Sequence, residues 1–463
     1  MSRTLLVKDL FEKVSDSSEY RGALEVLDIL RGAGFSAYIV GGAVRDAFIV
    51  RVMPGREELL EDLEFDIATD APYESIEELF EHVVHVGRKF GVARVVREEG
   101  IYEVARFRTE SGYKDGRRPG FVKPADIAAD AARRDLTINS LFFDPFTGEL
   151  FDMHGGIRDI SGRVVEFVGN AQERVREDHL RMMRAIRFSA QLNFKLSDSA
   201  FSAIRDNSHL IERISEERVA HELEQMLICP QRRMAMELFS QSGLMQHILP
   251  EVEAMKGVRQ PPKYHPEGDV FTHTMILLDH LPDKCSFGLA LAGLLHDIGK
   301  PSTFSDSGKI RFYGHETEGG RMSREVCDRL KLPAKLREKV AWLVENHMKY
   351  SSVRRMRKGR AIAFLRSKWG WDSLILYKAD VLASFGDLTS YNYCLKILNE
   401  MKEKPEAYVK GTDVIEKGVP QGPMVGKVLE ASCTEQLEGK YKNRQDALED
   451  LPRLIEKIRK GEE

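Results

Sequence analysis

Beyond about residue 170 the chain stops alternating strand and helix patterns and becomes almost wholly helical. That change separates a mixed α/β front from an all-helical remainder. With 463 residues the chain exceeds a single core and suits three or four compact units. Its apolar share (42%) and charged share (31%) are those of an ordinary globular protein. No uncharged run nears the roughly 20 residues of a membrane span, so no membrane partner is expected. The opening MSRTLLVKDLFEKV carries acids early and lacks a secretory apolar core, which argues against a signal peptide. Cys229, Cys285, Cys327, Cys394 and Cys433 are scattered without a CxxC pair. This speaks against a zinc ribbon or disulfide framework and fits the cytoplasm, the expected location.

In the front part, EYRGALEVLDILRGAG (19–34) reads as a helix ending at glycine. FSAYIVGG and LEFDIAT read as strands, with helices from VRDAFI and near SIEELFEHV. GVARVVREEG and IYEVARFRTE read as a hairpin around Glu99-Gly100. Amphipathic helices then crowd residues 170 to about 250. A proline- and glycine-rich stretch, RQPPKYHPEGD (259–269), marks a boundary before further helices.

Three features of the front part carry chemistry. Gly41-Gly42-Ala43-Val44-Arg45-Asp46 follows an apolar strand and opens a helix. It is either a tight turn or a place where backbone N–H groups and a helix N-terminus meet a phosphate chain. Glu64 and Asp66 flank Phe65 in one strand pattern, so both point to one face. They form either an exposed acidic edge, with Asp62 and Asp70, or a site for paired magnesium ions. Asp130-Ala-Ala-Arg133-Arg134-Asp135 continues to Thr137-Ile138-Asn139. Its arginines suit a triphosphate and its acids suit ribose hydroxyls. A surface ion-pair cluster has the same composition.

In this order the three features resemble the head of class II CCA-adding tRNA nucleotidyltransferases and bacterial poly(A) polymerases. The resemblance runs through nearly the whole chain. It implies a polymerase-β-like α+β head (1–165), an all-α neck (166–258), an HD-type helical domain (259–395) and a helical tail (396–463). It places nucleotide binding at Gly41, Gly42, Arg45, Asp130, Arg133, Arg134, Asp135 and Asn139, and Mg2+ at Glu64 and Asp66. The family usually has aspartate where Glu64 stands, and a glutamate reaches one methylene further; Asp62 is a possible participant. Glu103, in the neighbouring strand pattern, is the candidate third carboxylate. The implied reaction is metal-assisted attack of an RNA 3′-hydroxyl on the α-phosphate of CTP or ATP.

VREDHLRMMRAIRF reads as one helix whose stripe Leu180, Met183 and Ile186 is apolar. Asp178 and Arg181 then share another face. Spacing alone describes a surface ion pair. The resemblance makes EDxxR the nucleotide-selecting motif: a carboxylate accepts from the amine of cytosine or adenine, and an arginine donates to the adjacent ring acceptor. Uracil and guanine would leave the buried acid unpaired. Arg184 and Arg187 extend the polar face toward the triphosphate or the RNA, while SEERVAHEL (215–223) is read as structural. ESGYKDGRRPGFV (110–122) resembles the family's flexible loop, which helps switch from C to A addition.

Net charge is −4, so an RNA must be held by local basic patches. Arg117-Arg118, Arg133-Arg134, the arginines of 174–187 and those of 354–360 are candidates.

Farther on, His273, His296-Asp297, His315, His347 and Asp380 follow one another in helical patterns. A His-Asp pair at the end of an apolar helix is costly unless paired, and this donor set suits a divalent metal. The order resembles the HD phosphohydrolases. It implies ligation by His273, His296, Asp297 and Asp380, with His315 and His347 added in a two-metal version, and a phosphate contact at Lys300. The implied substrates are phosphomonoesters or 2′,3′-cyclic phosphodiesters at damaged tRNA ends. Gly418-x-x-x-Gly422-Pro423-x-x-Gly426 and LEGKYKNRQDAL resemble the family's tRNA-elbow-binding tail. Two other functions fit the same residues: an A-adding enzyme or poly(A) polymerase, and an HD phosphohydrolase whose head only binds RNA.

Overall fold

The computed structural model describes residues 3–7, 10–61, 63–87, 91–113, 116, 119–400 and 406–460. Asp62, Arg117 and Arg118 lie outside the described residues. The chain forms two compact units, Met1–Ile248 and Leu249–Glu463. No described helix is long and apolar enough to cross a membrane.

Among the described residues the first unit has, besides the short parallel pair Val164–Val165 and Lys195–Leu196, ten strands: β1 (Arg3–Leu6), β2 (Ala37–Val40), β3 (Asp66–Thr69), β4 (Val83–Gly87), β5 (Val92–Arg97), β6 (Gly100–Arg106), β7 (Arg108–Ser111), β8 (Phe121–Pro124), β9 (Phe142–Asp144) and β10 (Glu149–Asp152). Eight of them form one sheet in the order β1-β10-β9-β2-β3-β6-β5-β4, and β7 pairs with β8 separately. Helix α1 (Ser18–Gly32) starts where the Ser17 hydroxyl accepts from the Tyr20 N–H at 3.1 Å. It buries Ala23, Val26, Leu27 and Leu30, the three-to-four spacing of one helix face. Helix α2 (Gly42–Val52) follows β2 across Gly41, whose φ of 74° suits glycine. Helices α3 (Tyr73–Leu79), α4 (Ile127–Arg133) and α5 (Gly156–Gly162) complete the front part. Ile127 and Ala131 of α4 pack on Val40, Ala68, Phe107 and Phe142, which brings the Asp130–Asn139 segment to the end of β2 and β3.

Two details differ from the sequence patterns. β3 begins only at Asp66, so Glu64 lies in the segment before it. The β5–β6 hairpin turns at Glu98-Glu99, with Arg97 opposite Gly100. From residue 171 the first unit is nearly all helix, beginning with α6 (Ala171–Glu177) and α7 (Arg181–Leu192). The pattern VREDHLRMMRAIRF is therefore not one helix. Asp178 closes α6 in extended conformation (φ −136°, ψ 106°).

The second unit is helical apart from a small hairpin, Phe304–Asp306 with Ile310–Phe312. Its metal-ligand candidates come from the helices Val270–Asp279, His315–Arg329 and Gly370–Ala383, and from the ends of Phe287–Leu295 and Ala334–Asn346. The tail packs its own core from Val409, Val414, Val428, Tyr441, Leu451 and Ile455.

Candidate active sites

In the first unit, Phe65 and Ile67 are buried while Glu64 and Asp66 stay open to solvent, the alternation of a strand with one covered face. β3 runs parallel to β6 with Ile67 opposite Val104, which sets Glu103, also exposed, beside Asp66 on that face. Desolvation raises the Asp66 carboxyl, the charges of Glu103 and Glu64 add to this, and Arg134 opposes it; the net is a pKa of about 6. The carboxylate keeps open surface although protein crowds it, as at the floor of a cleft. Three acids crowded on one accessible face have the donor chemistry of a divalent-cation site, since bound positive charge reverses their mutual repulsion.

The Gly41 turn reaches this cluster. A Cβ on Gly41 would lie 3.6 Å from Arg134 Nη1 and 3.8 Å from Asp66 Oδ2. Gly42 opens α2, and Arg45 on its first turn donates to Asn139 Oδ1 at 2.7 Å and forks onto Asp46. Asp130 is fully buried and pairs with Arg133 (2.7 Å) and Arg134 (3.2 Å), while its Oδ1 accepts from the Arg108 N–H. Asp135 accepts from Arg184 at 2.7 Å and from the Leu136 N–H at 2.8 Å. Burial would raise the Asp135 pKa, but the Arg184 guanidinium holds it well below the usual carboxylate range. Both acids expected to meet ribose hydroxyls are thus engaged with arginines.

The neck residues are arranged differently from the expected helix face. Because the chain is extended at Asp178, Asp178 and Arg181 do not pair. Asp178 faces Arg218 at 3.3 Å. Arg181 is 7% exposed; it donates to Glu177 at 2.7 Å and to the Arg133 carbonyl at 3.2 Å. Leu180, Met183 and Ile186 are buried as expected. Arg45, Arg184 and Arg187 all lie over the Phe188 ring, at 4.9, 5.5 and 4.2 Å, so three of the nucleotide-site candidates converge on one aromatic face.

Glu222 escaped the sequence reading. It accepts from Arg187 at 2.7 Å and lies 4.0 Å from Arg184. Its signal was present: Val219, Leu223 and Met226 mark the buried face of their helix, and Glu222 sits among them.

In the second unit all six metal-ligand candidates come together. His273, His296 and Asp380 form one group and Asp297, His315 and His347 another, the ligand atoms of each lying within 4.8 Å of one another. The groups meet where His296 Nε2 is 3.1 Å from Asp297 Oδ2. Asp297 Oδ1 lies 3.5 Å from His315 Nε2 and 3.8 Å from His347 Nε2. His296 Nε2, Asp297 Oδ1 and His315 Nε2 are buried without a hydrogen-bond partner. Orphaned donors and acceptors aimed at one point fit a bound divalent metal. Lys300 Nζ lies 2.6 Å from Asp297 and donates to Gln260 at 2.6 Å.

The apolar helix Phe287–Leu295 ends directly before the His296-Asp297 pair. Gly299 is needed for a close approach: a Cβ there would lie 2.2 Å from the His315 carbonyl oxygen. Burial pushes the His347 pKa down to about 4, with the neighbouring His296 adding to it. Burial works the same way on His273, but Asp380 and Glu267 more than offset it and raise that ring to about 9.

Glu267 is a second residue the sequence did not suggest. Its Oε1 accepts from His273 Nδ1 at 2.7 Å and from His265 Nδ1 at 2.9 Å. A loop acid in PEGD carries no local signal beyond standing six residues before His273.

Three segments of the chain match known protein families. Residues 37–166 match the family described as "Poly A polymerase head domain". Residues 193–256 match "Probable RNA and SrmB-binding site of polymerase A", and residues 270–381 match "HD domain". The CCA-adding enzyme of Bacillus velezensis is 40% identical over 231 residues, 50% of this chain and 56% of the relative. That of Lactobacillus helveticus is 39% identical over 227 residues, 49% of this chain and 54% of the relative. The matched stretch thus spans about half the length of these curated relatives. The crystal structure of the Bacillus stearothermophilus CCA-adding enzyme in complex with CTP superposes with a TM-score of 0.71 at 26% identity, covering 96% of this chain and 98% of that one. Separate segments of the chain thus match the poly A polymerase head-domain and HD-domain models, and the relatives and the solved structure named above are CCA-adding enzymes.

Proposed function

We propose that this protein adds CCA to tRNA 3′ ends from CTP and ATP without a template, and that its HD centre is a metal-dependent phosphohydrolase. The observation that carries the first part is the convergence of Asp66, Arg134 and the Gly41 turn. An acid for cations, an arginine for phosphate and an open backbone turn are what nucleotidyl transfer requires at one point. The CTP complex of the Bacillus stearothermophilus enzyme supports CTP as a substrate here.

Mg2+ held by Glu64 and Asp66, with Glu103 beside them, would supply charge neutralisation at the α-phosphate and a lowered pKa for the RNA 3′-hydroxyl. The protein's own share is positioning. Gly41 and Gly42 let the triphosphate approach the backbone, and Arg45, Arg134, Arg184 and Arg187 neutralise it. Asp130 and Asp135 hold those arginines in place, Asn139 fixes Arg45, and Arg133 lies next to them. Asp178 and Arg181 select the base: reading cytosine or adenine would exchange their contacts with Arg218 and Glu177 for contacts to the base edge. The domains at 1–165, 166–258, 259–395 and 396–463 would serve as head, neck, hydrolase and tRNA-binding tail, working in the cytoplasm.

In the HD centre, His273, His296, Asp297 and Asp380, with His315 and His347, would hold a divalent metal. Such a metal would supply an activated water for phosphoester hydrolysis. Lys300, beside Asp297, would meet the phosphate.

Labelled CTP or ATP offered with tRNAs ending at the discriminator base, at C or at CC tests the transferase. CTP incorporation on the shortest acceptor, followed by ATP, is the expected result. ATP incorporation alone would assign an A-adding enzyme or poly(A) polymerase instead.

A further inference from the structure

Exposed aromatic side chains gather around the HD centre. Tyr264 and Phe385 are 50% and 55% exposed, and their ring centroids lie 6.3 Å apart at 72°. Each is tied to the metal-ligand set. Tyr264 precedes His265, whose ring is 5.0 Å from that of His273. Phe385 follows closely on the helix Gly370–Ala383, which carries Asp380, and Asp380 lies 3.0 Å from His273. Tyr313 is 74% exposed two residues before His315. Arg259 binds Asp306 at 3.2 Å, so the Tyr264 loop is pinned to the hairpin that precedes Tyr313.

Cations alternate with these rings. Lys263 Nζ lies 5.4 Å from the Tyr264 ring centre and the Arg311 guanidinium 5.5 Å from that of Tyr313. Large aromatic faces left in water cost free energy unless a ligand covers them. Aromatic faces interleaved with cations match single-stranded nucleic acid, whose bases stack and whose phosphates pair with Lys and Arg. A phosphomonoester lacking a base would use none of these rings.

Resting on the hydrolase reading of the HD centre, we propose that this rim makes the centre specific for the unstacked 3′-terminal nucleotide of an RNA. The terminal base stacks on Tyr264 with the Phe385 ring against its edge, the neighbouring nucleotide lies toward Tyr313, and Lys263 and Arg311 meet the flanking phosphates. Hydrolysis at the terminus adds one water across the P–O bond and releases an alcohol and a phosphate.

The test compares adenosine 2′-phosphate with glycerol 2-phosphate, which has no ring, as substrates of the Mn2+-loaded 463-residue chain. Tyr264→Ala and Phe385→Ala should each raise KM for adenosine 2′-phosphate about tenfold, the effect of losing one stacked base. Their kcat should stay within about twofold and glycerol 2-phosphate hydrolysis should not change. Tyr264→Phe should behave as the parent protein, because stacking needs the ring and not the hydroxyl. Equal effects on both substrates, or none on either, would overturn the rim. If the parent protein hydrolyses neither substrate, the hydrolase reading fails, and the rim is then read by binding alone. Tyr264→Trp should be quenched by adenosine 2′-phosphate at concentrations where inorganic phosphate leaves it unchanged. Equal quenching by both, or by neither, would overturn nucleotide recognition and leave a protein-docking face.

Discussion

Arg184 donates to Asp135 at 2.7 Å across 49 residues of chain, joining the turn after α4 to the neck helix α7. Asp135 is mostly buried while Arg184 is 34% exposed, and without Asp135 the guanidinium keeps only Glu222 at 4.0 Å. Asp135→Ala should destabilise the first unit by about 1–3 kcal/mol, read as a fall in the urea midpoint of that unit.

The same pair gives a pH dependence. The folded pKa of Asp135 is depressed. Its contribution is therefore present above the unfolded value near ~3.9 and is lost as pH falls toward the folded one. Melting curves of the parent protein and of Asp135→Asn should be far apart at neutral pH and converge below about pH 4. Constant separation across that range would contradict a charged pair.

Asp178 is proposed to choose the base, and in the structure it faces Arg218 at 3.3 Å. Asp178→Ala should admit UTP and GTP, reducing discrimination by about 1–3 kcal/mol, roughly tenfold to a hundredfold in relative kcat/KM. Competition assays with all four nucleotides read this directly.

Much of the head was legible because its signals are local. The alternation around Phe65 puts Glu64 and Asp66 on one face, and that face is open. The Gly41 turn follows from an apolar strand meeting a helix. The histidine–carboxylate cluster was legible for a different reason: histidines and acids on apolar helices need partners, and the fold supplies them to one another. What stayed hidden depends on contacts distant in sequence. Nothing in Glu-Asp-His-Leu announces that α6 stops at Asp178, because Arg181 chooses Glu177 and the Arg133 carbonyl only once the head is folded. Asp130 and Asp135 look like ribose ligands until Arg134 and Arg184 arrive. Glu267 is an ordinary loop acid until His273 turns toward it.

Glu267 fixes the His273 ring by accepting from Nδ1, which leaves Nε2 to face Asp380 and the metal site. Carboxylates in this position orient metal-binding histidines. Glu267→Gln should weaken Mn2+ binding at the HD centre about 10–100-fold by calorimetry and leave CTP incorporation unchanged.

Asp66 is proposed to serve nucleotidyl transfer, and the histidine cluster around Asp297 a separate reaction. The direct measurement is CTP and ATP incorporation into tRNA lacking its 3′ end, alongside phosphoester hydrolysis, for Asp66→Asn and Asp297→Asn. Asp66→Asn should abolish incorporation and spare hydrolysis, and Asp297→Asn should do the reverse. Full incorporation by Asp66→Asn, or loss of both activities in either variant, would contradict the claim.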